Sequence, residues 1–267
     1  MIRRTTPILL TLLLAGCQAP PDEQTDPAAA TTALVTDPNP PADGFNAVGS
    51  DAQAIAIADS VVKYHGGRRA YDDTRYLRWN FFGVRDLTWD KEDQLVRIEV
   101  PEQDIIYLLD YSDGDDLTGA VRKQGVEMTN PDSLALYLQS ANSIFINDSY
   151  WLVQPFKLKD SGVTLRYGGQ ANDPQNDRPS EVLELTFSGV GDTPGNRYRL
   201  FVDQENYRIN TWQFFRDAAS EEPTIETPYN GYAQYGDIYL SGDRGGRFQL
   251  GDITAPEDLD ATVFTNF

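Results

Sequence analysis

The sequence predicts a mainly β fold of the α+β class, in which a strongly curved antiparallel sheet, or incomplete barrel, carries helices on its concave face. Three observations support this prediction. Apolar and polar residues alternate along most of residues 51–267, turn-forming residues recur at short intervals, and two segments have helical periodicity. We expect about ten strands and about two helices. A sheet of that many strands curls rather than stays flat, which is why we expect strong curvature.

Each clear strand segment places its apolar side chains on one face, since successive residues of a strand point to opposite faces. Arg78, Arg97 and Glu184 are among the polar residues at the alternate positions. The apolar faces comprise Leu77, Trp79 and Phe81; Val96, Ile98 and Val100; Leu183, Leu185 and Phe187; and Tyr198, Leu200 and Val202. This alternation is typical of an antiparallel sheet with one buried and one solvated face.

Two segments have the spacing of amphipathic helices. The first covers residues 51–65, with Asp51 as the expected N-cap and two glycines after the last residue. The second covers residues 131–142 and has proline at its first helical position. The apolar stripes are Ile55, Ala58, Val61 and Val62 in the first, and Leu134, Leu138 and Ala141 in the second.

Residues 1–17 have the three parts of an export signal: Arg3 and Arg4, a short apolar run, and small residues before Cys17. The apolar run is shorter than the roughly 20 residues that span a bilayer. Small residues followed at once by cysteine resemble the lipobox of bacterial lipoproteins, in which the thiol receives a diacylglyceryl group. The alternative is an ordinary secretory signal with an incidental cysteine. Cys17 is the only cysteine, so an internal disulfide is excluded.

The resemblance to a lipobox implies attachment to a membrane through the lipid on Cys17, because two or three acyl chains hold a protein firmly. Gln18 stands where an aspartate would retain an enterobacterial lipoprotein in the inner membrane. The resemblance therefore implies an outer-membrane lipoprotein of a Gram-negative bacterium that faces the periplasm.

Residues 18–50 are predicted to be a disordered tether. They contain six prolines and Phe45 as their only aromatic residue, which leaves too little apolar surface to offset the entropy of ordering. As a flexible coil this segment spans roughly 30 Å. Residues 51–267 are expected to form a single domain.

The formal net charge of −19 predicts repulsion from nucleic acid and from anionic headgroups. No basic run or basic amphipathic helix offsets it, so we expect the polypeptide itself to avoid the membrane surface. The predicted partners are a membrane, through Cys17, an acyl-chain ligand, and a protein of the envelope; no nucleic acid is expected.

Motifs for common enzyme chemistry are missing from the sequence. There is no Gly-x-Ser-x-Gly elbow, phosphate-binding loop or dinucleotide fingerprint. His65 is the only histidine and is expected to cap a helix end or lie on the surface. The densest acidic cluster lacks the spacing of a calcium loop and is expected to be a solvated turn; it comprises Asp110, Asp113, Asp115 and Asp116. We predict a protein that is not an enzyme and has no cofactor and no metal.

Four segments of the sequence carry a resemblance to known proteins: residues 65–71 (His-Gly-Gly-Arg-Arg-Ala-Tyr), 74–83 (Thr-Arg-Tyr-Leu-Arg-Trp-Asn-Phe-Phe-Gly), 147–160 (Asn-Asp-Ser-Tyr-Trp-Leu-Val-Gln-Pro-Phe-Lys-Leu-Lys-Asp) and 253–259 (Ile-Thr-Ala-Pro-Glu-Asp-Leu). They resemble a group of uncharacterised bacterial lipoproteins, which is similar in architecture to the LolA/LolB-like half-barrel family of lipoprotein carriers and receptors. The resemblance implies an incomplete barrel with a helical lid over an apolar cavity that receives acyl chains.

The half-barrel resemblance nominates inward strand side chains as the lining of that cavity. Each nominated residue is equally explained by ordinary core packing. The residues are Leu77, Trp79, Phe81, Val96, Ile98, Leu183, Leu185, Phe187, Leu200 and Trp212.

The leading hypothesis is a non-catalytic, outer-membrane-anchored lipoprotein that binds an apolar ligand, such as an acyl chain, a lipid or a lipidated protein. A second hypothesis is a structural lipoprotein that docks an envelope protein. A third is a carbohydrate or ester hydrolase, which needs two carboxylates facing each other in a cleft.

Overall fold

The computed structural model describes residues 38–114, 116–189, 195–246 and 248–267. The predicted export signal, Cys17 and most of the predicted tether lie outside this part of the chain. Within it, none of the helices is long and apolar enough to cross a membrane.

The described residues form three α-helices, fourteen strands and three short 3-10 helices. The α-helices are α1 (Ala52–Tyr64), α2 (Arg68–Asp73) and α3 (Pro131–Val153). The strands are β1 (Tyr76–Phe81), β2 (Arg85–Asp90), β3 (Leu95–Val100), β4 (Ile105–Asp110), β5 (Thr118–Lys123), β6 (Val126–Glu127), β7 (Val163–Asn172), β8 (Pro179–Phe187), β9 (Arg197–Asp203), β10 (Ile209–Phe215), β11 (Ile225–Pro228), β12 (Asn230–Tyr235), β13 (Ile238–Asp243) and β14 (Leu250–Thr254). The 3-10 helices are Pro101–Gln103, Gln154–Phe156 and Ala261–Phe264.

The described strands pair antiparallel in three open sheets. Sheet 1 has the order β14-β1-β2-β3-β4-β5-β6, sheet 2 has the order β11-β10-β9-β8-β7, and β12 pairs with β13. The predicted mainly β, antiparallel architecture with helices is therefore confirmed. The structure has more strands than expected, and they are divided among separate sheets. The sequence did not predict α2, because six residues are too few to show a helical period.

Sheet 1 buries the face that the alternation predicted. Leu77, Trp89, Val96 and Leu109 are directly opposite one another on four successive strands and form one row of the core. Phe145 and other apolar residues of α3 pack against this face. The opposite face of sheet 1 carries the polar residues.

The helix α3 is longer than the predicted residues 131–142. Its start is as expected: Pro131 is the first residue, and Asn130 Oδ1 accepts a hydrogen bond of 2.9 Å from the Ser133 N–H. Its second half contains Asp148, which interrupts the apolar stripe and is fully buried. The helix continues because Arg85 neutralises this carboxylate with two hydrogen bonds of 2.7 and 3.0 Å.

Sheet 2 packs against α1, whose predicted extent is confirmed to within one residue at each end. Its buried face includes Leu165, Leu185 and Leu200, which meet Ala58 and Val61 of the helix. Asp51 is the N-cap residue of α1, as the sequence predicts, but its side chain does not form a capping hydrogen bond with the helix. Its carboxylate instead accepts hydrogen bonds of 2.9 Å from the Tyr167 N–H and from Arg166.

His65 is in the C-cap position of α1, as expected, but the alternative of a surface position is wrong. Its side chain is fully buried, and Nδ1 lies 2.7 Å from the Val61 carbonyl oxygen. Phe156 and Tyr232 contact the ring edge-on. The histidine is buried because Gly66 lets the chain pass close to the strand pair β12 and β13; a Cβ there would lie 2.3 Å from the Asp237 oxygen.

Backbone hydrogen bonds to the rest of the fold begin before Asp51, within the predicted tether of residues 18–50. The backbone of Ala42 donates to the Lys159 oxygen, and that of Asn46 donates to the Val163 oxygen, both over 3.0 Å. Asn39 donates to Asp59 on α1 over 2.8 Å. Residues 39–50 thus lie along the start of β7 and use main-chain hydrogen bonds, which composition does not reveal.

Two hairpins of sheet 2 have the same turn chemistry. Asp173 accepts hydrogen bonds from the backbone N–H groups two and three residues later at the β7–β8 turn, and Asp203 does the same at the β9–β10 turn. Arg178, which leaves the first turn, pairs with Asp203 of the second. This ion pair joins the two turns at one end of sheet 2.

Candidate ligand-binding site

The two sheets meet at a cluster of aromatic rings, here called the aromatic cluster. Trp151, near the end of α3, packs against the cores of both sheets. Its ring lies 5.1 Å from Phe82 beside sheet 1 and 4.6 Å from Trp212 of sheet 2. The full cluster is Phe82, Tyr150, Trp151, Phe187, Tyr198, Trp212, Phe214 and Phe248.

Sheet register places the sheet 2 rings on one face. Tyr198 pairs with Phe214 across the β9–β10 ladder, and Leu200 pairs with Trp212. The Tyr198 ring stacks on Trp212 with centroids 5.4 Å apart and meets Phe187 edge-on at 5.3 Å. Offset and edge-to-face pairs of this kind contribute about 0.5–1.5 kcal/mol each beyond area burial.

Phe82 reaches the cluster through an unusual backbone conformation. It follows β1 with φ 56°, in the left-handed region that bulky residues rarely adopt. Its N–H donates to the Gln249 oxygen over 2.9 Å, and its ring contacts Phe81, Trp151 and Phe248. These contacts offset the backbone strain, which is of order 1–3 kcal/mol.

The aromatic cluster is only partly covered. Trp212 is 4% exposed, whereas the other seven residues of the cluster are half-buried. Apolar surface left accessible to water is a place where another apolar group is able to bind. The cluster therefore differs from the fully covered cores beneath each sheet.

Hydroxyl and indole groups give the cluster a few hydrogen-bond donors. Burial raises the pKa of Tyr198 to about 12 and raises that of Tyr150 well above its usual value, so both side chains stay neutral and keep their protons. The Trp212 Nε1–H is buried and has no hydrogen-bond partner among the described residues. By contrast, Trp89 Nε1 donates to the Tyr111 hydroxyl over 2.7 Å. An unpaired buried donor costs about 1–3 kcal/mol, which an acceptor on a ligand would relieve.

The nominated lining residues divide into two cores. Those of sheet 1 are at most 3% exposed and lie beneath α3: Leu77, Trp79, Phe81, Val96 and Ile98. Those of sheet 2 that are fully buried lie beneath α1: Leu183, Leu185 and Leu200. The structure brings only Phe187 and Trp212 into the aromatic cluster, with Phe81 stacked behind Phe82.

Six members of the cluster were missing from the nominated set: Phe82, Tyr150, Trp151, Tyr198, Phe214 and Phe248. Alternation along β9 and β10 does place Tyr198 and Phe214 on the inner face of sheet 2, so this signal was present in the sequence. The helical residues and Phe82 carry no such signal, because they join the cluster through tertiary packing.

Comparison with known proteins finds similarity only at the level of structure. No family model matches the chain, and no curated protein matches it. A DUF1329 family protein from Desulfovibrio piger has 12% identity and a TM-score of 0.43, over 79% of this chain and 96% of that one. A putative outer membrane lipoprotein-sorting protein domain from Vibrio parahaemolyticus has 9% identity and a TM-score of 0.41, over 79% and 96%.

A LolA superfamily protein from Nitrosomonas europaea is also similar, with 11% identity and a TM-score of 0.37, over 78% of this chain and 97% of that one. Lipoprotein-sorting and LolA-superfamily structures are thus among the similar solved structures. Because all these TM-scores are below 0.5, function has to be argued from the residues themselves.

Proposed function

We propose that this protein binds an apolar ligand, an acyl chain of a lipid or of a lipidated protein, at the aromatic cluster, without catalysing a reaction. The observation that carries the proposal is the convergence of eight aromatic residues from both sheets, α3 and the segment before β14, seven of which are only half-buried.

Burial of apolar surface supplies the binding energy. Each methylene of a chain that leaves water contributes about 0.8 kcal/mol, so six to eight methylenes against the rings would contribute about 5–6 kcal/mol before ordering costs. The Trp212 indole and the neutral Tyr150 and Tyr198 hydroxyls are suited to hydrogen-bond an ester carbonyl, because none of them carries a charge that a neutral chain must accommodate.

We also propose that the protein acts at the periplasmic face of the outer membrane, tethered by acyl chains on Cys17. The export signal of residues 1–17 and the glutamine that follows support this placement. Fractionated cells that make the Cys17→Ser chain should show it released from membranes and without incorporated radiolabelled palmitate. A Cys17→Ser chain that stays in the outer membrane would contradict the tether.

Ligand binding is tested on the purified Cys17→Ser chain, which carries no lipid of its own that could compete with the probe. We expect dansyl-undecanoic acid to bind and to quench tryptophan fluorescence, and we expect bacterial lipid in extracts of the purified protein. Phe214→Asp puts a carboxylate among the rings and should raise the Kd at least about tenfold. Val126→Asp is the matched control, since Val126 is 70% exposed on an edge strand.

The proposal fails if the folded wild-type chain binds no fatty-acid probe and yields no lipid. It also fails if Phe214→Asp and Val126→Asp change the Kd equally. Far-ultraviolet circular dichroism of both variants shows whether a loss of binding reflects a loss of fold.

A further inference from the structure

A polar pocket of about 360 Å³ lies on the outer face of sheet 1, opposite the face that α3 covers. The 3-10 helix Ala261–Phe264 and the residues after it form one wall, held by Arg97, which donates to the Val263 and Asn266 carbonyl oxygens over 3.1 and 2.7 Å. The pocket is lined by Arg78, Thr88, Arg97, Glu99, Thr262, Val263, Asn266 and Phe267.

Sheet register places three of these residues in one row. Arg78 is opposite Thr88 on the β1–β2 ladder, and Thr88 is opposite Arg97 on the β2–β3 ladder. Directly opposite residues of antiparallel strands share a face, and neighbouring strands are about 4.8 Å apart. The two arginines therefore begin about 10 Å apart on the same face, with the threonine hydroxyl between them, and both side chains are long enough to reach a common group above it.

The two arginines differ in their partners. Arg97 Nε donates to Glu99 over 2.6 Å, so the positive charge of Arg97 is already balanced by a carboxylate. The Arg78 side chain forms no ion pair or hydrogen bond within the described part of the chain. A lining guanidinium without a carboxylate is notable in a protein with a net charge of −19.

We propose that this pocket binds the phosphate group of a small phosphate ester. Arg78 provides a forked, two-donor contact, and Arg97 and the Thr88 hydroxyl donate to the remaining oxygens. The Thr262 hydroxyl and the Asn266 amide, on the opposite wall, suit the hydroxyl groups of such an ester. The volume is in the range of small-molecule sites, and the polar lining excludes the acyl chain assigned to the aromatic cluster.

Phosphate esters occur both as free metabolites and as lipid headgroups, and binding assays on the Cys17→Ser chain separate these sources. The probes are glycerol 3-phosphate, measured by calorimetry, and vesicles of phosphatidylglycerol in phosphatidylcholine, measured by cosedimentation. Arg78→Gln should weaken binding at least tenfold, and Arg78→Lys should weaken it less, because it keeps the charge but loses the fork. Arg216→Gln is the control, since it removes the same charge from an exposed arginine outside the pocket.

Binding of glycerol 3-phosphate that depends on Arg78 supports a soluble ligand, and vesicle binding with the same dependence supports a headgroup. The proposal is overturned if the folded wild-type chain binds neither probe. It is also overturned if Arg78→Gln and Arg216→Gln weaken binding equally, since the effect would then be one of net charge. Neither arginine contacts the aromatic cluster, so failure here leaves the acyl-chain proposal standing.

Discussion

Replacing Asp203 by asparagine should destabilise the protein in a pH-dependent way. This carboxylate is 1% exposed and joins two hairpins of sheet 2. One oxygen accepts hydrogen bonds from the Glu205 and Asn206 backbone over 2.9 and 3.1 Å, and the other accepts from Arg178 and from Asn210. Asparagine keeps an acceptor for the backbone but loses the charged interaction with the arginine.

The pKa of Asp203 gives the size of the expected loss in unfolding free energy. Burial alone would raise this pKa, but Arg178, Asn210 and the two backbone N–H groups together lower it from 3.8 to about 2. A shift of nearly two units corresponds to about 2 kcal/mol of unfolding free energy at neutral pH. Because the pKa is lower in the folded state, this stability is present above about pH 4 and is lost as the pH falls towards 2.

Urea unfolding followed by tryptophan fluorescence at pH 7 and pH 3 tests this prediction. Wild type should exceed Asp203→Asn by about 2 kcal/mol at pH 7 and by about half that at pH 3. Asp217→Asn is the matched control: Asp217 accepts only a backbone hydrogen bond among the described residues, from the Ala219 N–H. A difference for Asp203→Asn that is the same at both pH values, or no larger than that of the control, would refute the reasoning.

Three further predictions concern single residues. Gly119→Ala should lower the unfolding free energy by about 2 kcal/mol or more in urea, because Gly119 has φ 138° and a Cβ there would lie 1.9 Å from the Leu108 oxygen; Gly195→Ala, in open space, should change it little. Burial lowers the pKa of His65 to about 4. Between pH 6.5 and 4, unfolded chains therefore bind a proton at this residue and folded chains do not. Wild type should therefore lose about 3 kcal/mol relative to His65→Gln as the pH falls across that window, and parallel pH profiles would contradict this. Arg85→Gln leaves the fully buried Asp148 carboxylate without a counter-charge and should lower the thermal midpoint by an amount equivalent to about 3 kcal/mol; an unchanged midpoint would show that the pair is dispensable.

Strand faces were predictable from the sequence because a strand's side-chain period is two and one face must be buried. Leu77, Trp79, Val96 and Ile98 all lie on the predicted buried face of sheet 1. The start of α3 was predictable for a similar local reason, since Asn130 and Pro131 provide the cap and the first helical residue. Its end was not, because Asp148 is stable in a buried helix only when Arg85, distant in sequence, supplies its charge.

The exact extent of the ordered domain and the environment of His65 also depended on distant contacts. Residues 39–50 have the composition of a linker, yet their backbone hydrogen-bonds to residues beside β7. His65 looked exposed because polar residues at helix ends commonly are. It is buried because Phe156 and Tyr232 arrive from other parts of the chain.

At the candidate site, too, some features were predictable from the sequence and others depended on tertiary packing. Composition, charge and motifs by themselves determined an acidic, mainly antiparallel β protein without a recognisable catalytic set, because these properties depend on residue type and local spacing. Only the tertiary structure decided that Trp151 joins two separate cores, that Phe82 turns into the same cluster, and that Arg78 and Arg97 face one polar pocket. Such groupings depend on strand register and helix packing, which involve residues far apart in the chain and leave no periodic trace in the sequence.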